Sequence, residues 1–218
     1  MIDWPQIDTV FLDMDGTLLD LYFDNHFWLE HMPRRYAEYH GLAHEVARAR
    51  LAAHYERHSG TLNWYCLDFW SSELALDVVQ LKEEVAHLIA VRPDVPAFLR
   101  ALRASARRVV MVTNAHPRSL NLKMRETGID TYFDALISSH QVGLPKEHPD
   151  FWQALQAIEP FDSRRTLFVD DSLPVLRSAQ TYGIAHLLAV CNPDSRQPHK
   201  DCGDFTAITS FAQVMPAE

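Results

Sequence analysis

The run Thr9-Val10-Phe11-Leu12 is apolar on consecutive residues and stops at Asp13-Met14-Asp15-Gly16-Thr17. A strand without a polar face has to be covered on both sides, which points to a sheet buried between layers of helix. Alternate residues of an extended chain share a side, so Asp13 and Asp15 project together where the strand ends, and Gly16 lets the backbone turn away sharply.

The strand is expected over 9–15, and runs of the same kind recur at 108–113, 135–138, 166–170 and 186–190. Leu120, Met124 and Gly128 mark one intervening helix with its C-terminal stop, and Pro174, Leu176, Ala179 and Gly183 mark another. Strands alternating with helices predict βαβ units and a parallel α/β sheet. The rhythm breaks once, because more than 90 residues separate position 15 from position 108. Residues 24–90 are rich in Ala, Leu, Glu, Arg and His and carry aromatics at helical spacing, so they predict a small inserted helical domain. Its helices are expected to end near Pro33, Gly41, Gly60 and Arg92-Pro93-Asp94. The division is thus 1–20 with 94–218 as an α/β core and 21–93 as the insertion. Residues 192–203 read as a loop before a short last helix at 208–214.

With 218 residues the chain can bury a full core, and its net charge of -9 argues against a nucleic-acid surface, which needs clustered Lys and Arg. Cys66, Cys191 and Cys202 form no CxxC and read as reduced thiols. The start shows no secretory pattern, and no apolar run approaches the roughly 20 residues of a membrane helix. A cytoplasmic protein without a membrane or nucleic-acid partner is expected.

Four polar clusters end or follow strands: Asp13/Asp15, Thr113/Asn114, Lys146 and Asp170/Asp171. A parallel sheet gathers the carboxyl ends of its strands on one edge, where ligands bind at a switch point. Acids, a hydroxyl and an ammonium on that edge suit a divalent cation and a phosphate. Mg²⁺ prefers carboxylates, waters and phosphate oxygens, which Asp13, Asp170 and the Asp15 main-chain carbonyl would help supply. An aspartate can then accept a phosphoryl group once cation and lysine offset the charge. Asp15 would serve as general acid and base, while Thr113 and Asn114 would hydrogen-bond the phosphoryl oxygens.

DMDGT at 13–17, VTN at 112–114, PK at 145–146 and FVDDS at 168–172 resemble, in order and context, the four motifs of haloacid dehalogenase superfamily phosphatases. The resemblance implies Asp13 as nucleophile, Asp15 as acid/base, Thr113 and Lys146 as phosphoryl binders, and Asp13, Asp15 and Asp170 as Mg²⁺ ligands supported by Asp171. It also implies a Rossmann-like core of strand order 3-2-1-4-5, with the insertion as a helical cap. The segments 18–28, 61–70, 113–123, 145–147, 166–172 and 192–195 are further similar to the bacterial GMP/IMP nucleotidases of that superfamily. This implies a purine nucleoside 5'-monophosphate as substrate. A phosphatase acting on a sugar phosphate or phosphoglycolate, or a phosphomutase, is the alternative, because the core motifs are shared. A binding module that keeps the fold without turnover is disfavoured by the complete set of reactive residues.

Trp64, Tyr65, Phe69, Trp70, Phe27 and Trp28 form two aromatic clusters in the insertion. Their spacing reads as core for most, with one left to face substrate. Asp24 and Asn25 either reach the substrate or cap the first inserted helix. His40/His44 and His54/His58 have the i,i+4 spacing of a metal pair but lack HExxH or a cysteine cluster, so they read as solvated faces. His116 lies at the site edge, where it touches substrate or brackets the helix at Pro117. Linkers near 21–24 and 91–94 would let the insertion open and close.

Overall fold

The structure, a computed structural model, describes residues 2–216. Strands β1 (Thr9–Leu12), β2 (Arg108–Thr113), β3 (Ala135–Ser138), β4 (Thr166–Asp170), β5 (His186–Val190) and β6 (Ala207–Ile208) form one parallel sheet in the order β3-β2-β1-β4-β5-β6. The expected order 3-2-1-4-5 is present, extended by a sixth strand. β1 is shorter than its sequence run, ending at Leu12, although the Asp13 amide still donates to the Val169 carbonyl at 3.0 Å.

Alternation along the strands divides the core. Val10, Leu12, Val109, Met111, Leu167 and Val169 pack with Phe98, Leu99 and Leu102 of helix Val95–Ala104 and with Leu120 and Met124 of helix Pro117–Thr127. Phe11, Val110, Val112 and Phe168 face the other way, onto helices Phe151–Ile158 and Leu173–Tyr182. Each strand therefore feeds both layers, which explains why its sequence is apolar without a break. The two helices anticipated around Leu120 and Leu176 end at Gly128 and Gly183, both in left-handed conformation.

Helices fill the span between β1 and β2, among them Tyr22–His26, Met32–His40, His44–His58, Leu67–Leu74 and Val78–Glu84. They enclose their own apolar cluster of Phe23, Phe27, Met32, Leu51, Trp70 and Leu81. Pro33 does not end a helix. It lies in the first turn of Met32–His40, and the preceding segment Phe27–His31 is a π-helix, whose wider turn accommodates a ring that lacks an amide and crowds the preceding turn. Both ends of the insertion leave the sheet side by side. Leu19 bridges Val91 antiparallel, the Asp20 amide donates to the Ala90 carbonyl at 2.9 Å, and the Arg92 amide donates to the Leu18 carbonyl at 3.0 Å.

Two further expectations are corrected. The terminal helix at 208–214 is a strand at Ala207–Ile208, drawn in by pairing with β5, followed by a 3₁₀ turn at Phe211–Val214. Cys191 and Cys202 are not reduced thiols but form a disulfide. The loop after β5 doubles back, with the Lys200 amide donating to the Cys191 carbonyl at 2.8 Å, and this brings their Cα atoms to 5.9 Å. No helix among the described residues is long and apolar enough to cross a membrane.

Trp152 is wholly buried on the Phe168 ring, and its indole N–H donates to the Ser178 hydroxyl at 3.1 Å. Trp152→Ala is expected to cost about 3–5 kcal/mol in urea unfolding through the cavity it leaves.

Candidate active site

β1 lies between β2 and β4 with Leu12 opposite Met111 and Val169, so one residue further on Asp13 comes beside Asp170. Chain direction across the sheet reverses here, which opens a crevice at the strand ends. Lys146 fills the space between the two acids. Its Nζ donates to Asp13 Oδ1 and Asp170 Oδ2, each at 2.6 Å, and to the Val112 carbonyl at 3.1 Å. Burial pushes the Asp13 and Asp170 carboxyls up to about 6 despite the adjacent ammonium. Burial opposes the charge of Lys146, but the two carboxylates outweigh it and raise its pKa.

Asp171 joins this group from the side, paired with Lys200 Nζ at 2.8 Å. Carboxylate oxygens of Asp13, Asp170 and Asp171 come within 4.8 Å of one another. Such an all-oxygen donor set fits a hard divalent cation. Gly16 makes the approach possible. Its φ is +82°, and a Cβ on it would fall 2.8 Å from Asp171 Cγ and 2.9 Å from Pro193 Cβ.

The Asp15 side chain takes a different partner. Lys123 Nζ donates to Asp15 Oδ1 and to Asp24 Oδ2, each at 2.6 Å, and Lys82 Nζ donates to Asp24 Oδ1 at 2.8 Å. Burial raises Asp15 to about 6. Asp24 is partly buried as well, but two ammonium groups hold it down at about 2. Asp24 therefore neither caps a helix nor stands free: Asp20 Oδ1 accepts from the first helical amide, that of Tyr22, at 3.0 Å. Asn25 Nδ2 donates to Asp194 Oδ2 at 2.7 Å.

Thr113 stands at the end of β2, its hydroxyl accepting from the Ala115 amide at 3.0 Å. The side chain of Asn114, expected on phosphoryl oxygens, is committed to the lysine loop. Its Oδ1 accepts from the Lys146 amide at 2.9 Å, and its Nδ2 donates to Glu147 Oε2 at 2.9 Å. Glu147 also accepts from the Tyr65 hydroxyl at 2.9 Å, joining the insertion to the sheet.

Lys82, Lys123, Glu147 and Lys200 were assigned no role from the sequence. For two of them a signal was present. Leu120, Lys123 and Met124 share one helical stripe, as do Val78, Leu81 and Lys82, and a lysine inside an apolar stripe needs a buried partner. Nothing local marks Glu147 or Lys200.

A cavity of about 370 Å³ joins Asp13, Asp15, Thr113, Lys146 and Asp170 to a wall of Trp28, Tyr55, Trp64 and Tyr65. Phe27 and Trp70 are buried in the cluster behind that wall, and Phe69 packs on the His58 ring. His116 brackets the helix as anticipated, its Nδ1 accepting from the Arg118 amide at 3.3 Å, and its ring also lines the cavity. The i,i+4 histidines do not converge: His40 bonds the Leu74 carbonyl, and His54 pairs with Glu73.

Residues 7–183 match the family described as haloacid dehalogenase-like hydrolase. The chain belongs to that family. It is 39% identical to the GMP/IMP nucleotidase YrfG of Escherichia coli, over 99% of this chain and 97% of that one. It is 27% identical to the pyrimidine 5'-nucleotidase YjjG of the same organism, over 47% and 48% of the two chains. The crystal structure of a phosphatase of this superfamily from Thermococcus onnurineus superposes with a TM-score of 0.78 at 23% identity, covering 95% of this chain and 96% of that one, which shows the shared fold.

Two substitutions probe how this member of the family holds its site. Gly16→Ala would add about 1–3 kcal/mol of backbone strain and drive a methyl into Asp171, so a lowered Tm together with loss of turnover is expected. Lys123→Met leaves Asp15 without its cation. Chemical denaturation should register a loss of about 3 kcal/mol.

Proposed function

We propose that this hydrolase is a purine 5'-nucleotidase that releases phosphate from GMP and IMP through an aspartyl-phosphate on Asp13. The observation carrying the reading is one continuous cavity, with acids and a buried lysine at one end and a half-buried aromatic wall at the other. Flat apolar rings suit a nucleobase, and stacking on such rings is worth about 1–3 kcal/mol per base. Near-complete alignment with a GMP/IMP nucleotidase supports the same choice. The helical insertion over residues 21–93 is then a substrate-selecting cap, since the aromatic wall belongs to it.

Asp13 Oδ attacks phosphorus, the bond to the 5' oxygen breaks, and Asp15 delivers a proton to the leaving alkoxide. Asp15 then takes a proton from the water that attacks the acyl phosphate, freeing phosphate and regenerating Asp13. A carboxyl raised to about 6 suits a group that must both give and take a proton near neutrality. Lys146 offsets charge at the phosphoryl group and the Thr113 hydroxyl orients it, while Asn114 acts by fixing the loop that carries Lys146. Mg²⁺, held by Asp13, Asp170 and the Asp15 carbonyl with Asp171 in support, would neutralise the phosphate dianion so that a carboxylate can approach. Lys123 keeps the Asp15 side chain turned toward the cap.

Phosphate release in Mg²⁺ is the test, on a panel of GMP, IMP, AMP, CMP, UMP, ribose 5-phosphate and phosphoglycolate. GMP and IMP are expected to lead, Asp13→Asn to abolish turnover with the fold retained, and chelation to stop the reaction until Mg²⁺ is restored. A leading sugar phosphate would overturn the nucleotidase reading and leave the core chemistry standing.

A further inference from the structure

Beside the cavity, three side chains with nitrogen or sulfur donors meet where the insertion contacts the sheet. Cys66 precedes helix Leu67–Leu74, His116 precedes helix Pro117–Thr127, and His140 lies in the turn after β3. One donor atom from each comes within 4.8 Å of the other two. The two imidazoles meet edge to face with centroids 4.8 Å apart. His140 Nε2 is buried and has no hydrogen-bond partner among the described residues, so a polar atom removed from water is left unsatisfied. His116 Nδ1 is occupied by the Arg118 amide, which leaves its Nε2 free to serve. That Nε2 lies 3.6 Å from Asp68 Oδ2, a fourth donor on an exposed side chain. Cys66 is the free thiol of the chain, the other two cysteines being joined to each other.

We propose that Cys66, His116 and His140, with Asp68 completing the set, form a second metal site for a thiophilic divalent ion of the zinc class, tying the helical insertion to the sheet. A thiolate and two imidazoles with one carboxylate is a donor set that zinc takes in four-coordinate geometry, and it differs in kind from the all-oxygen set at Asp13, Asp170 and Asp171. Bonds of about 2.0–2.3 Å need the donors to contract by roughly an ångström, within reach of side-chain rotation. Two of the four ligands come from the insertion and two from the segments that follow β2 and β3, so the bound ion would tie the insertion to the edge of the sheet beside the cavity.

Cobalt(II) separates the two sites, because only a thiolate ligand gives a sulfur-to-cobalt charge-transfer band. Full-length protein is titrated with Co²⁺ in excess Mg²⁺, which keeps the carboxylate site filled. The expected result is a charge-transfer band saturating at one equivalent and bleached by one equivalent of Zn²⁺. The band should vanish in Cys66→Ser, and Co²⁺ affinity should fall at least tenfold in His140→Ala and in the larger His140→Gln, with far-ultraviolet dichroism unchanged. The absence of a band in the native protein, its survival in Cys66→Ser, or native affinity in both folded His140 variants would each overturn the proposal.

Discussion

The Lys146 ammonium, wedged between Asp13 and Asp170, is the interaction on which this site depends. Three ionisable groups lie almost wholly out of water, and each would be costly alone. Together they balance, and the balance fixes where the loop after β3 must run. Asn114 holds that loop from the end of β2, so the position of the ammonium is set by strands on both sides of β1. A chain with a net charge of -9 can thus hold positive charge at the strand ends, because the lysines are placed locally.

The same alternation continues outward. Asp15, Lys123, Asp24 and Lys82 form a second, largely buried line that begins beside Asp13 and ends inside the helical insertion. Lys82 also rests on the faces of Phe23 and Phe27 at 4.7 and 4.6 Å, so the far end is anchored by aromatic rings. The Asp15 side chain is therefore held partly by residues that do not belong to the sheet. Any displacement of the insertion would alter the surroundings of Asp15 while leaving Asp13 and Lys146 in place.

How much of this was legible in the sequence follows from the range of each interaction. Parallel strands announce themselves in unbroken apolar runs, and the acids that end β1 and β4 meet because adjacent parallel strands share a register. The positions of Asp13, Asp15, Lys146 and Asp170 at one cavity could thus be anticipated. Glu147 and Lys200 could not, since their partners arrive from distant segments and neither breaks a local pattern. The pairing of Cys191 with Cys202 depends on a loop that folds back on itself, which spacing alone leaves open. β6 was missed because two residues of strand carry too little periodicity to register. Pro33 was misread because a π turn absorbs it, and that turn has no compositional mark.

The stem through which the insertion leaves the sheet carries a consequence for how such a chain diversifies. Leu19 and Val91 are neighbours across the stem, so the sheet experiences the entire helical segment as a short excursion between two fixed points. Arg92 secures the returning strand of the stem to the Asn192 side chain at 2.7 Å. Replacement of everything between those points leaves the register of β1 against β2 and β4 untouched. One helical segment could be exchanged for another with Asp13, Lys146 and Asp170 kept where the strands set them, provided the new segment supplied its own partner for Lys123 beside Asp15.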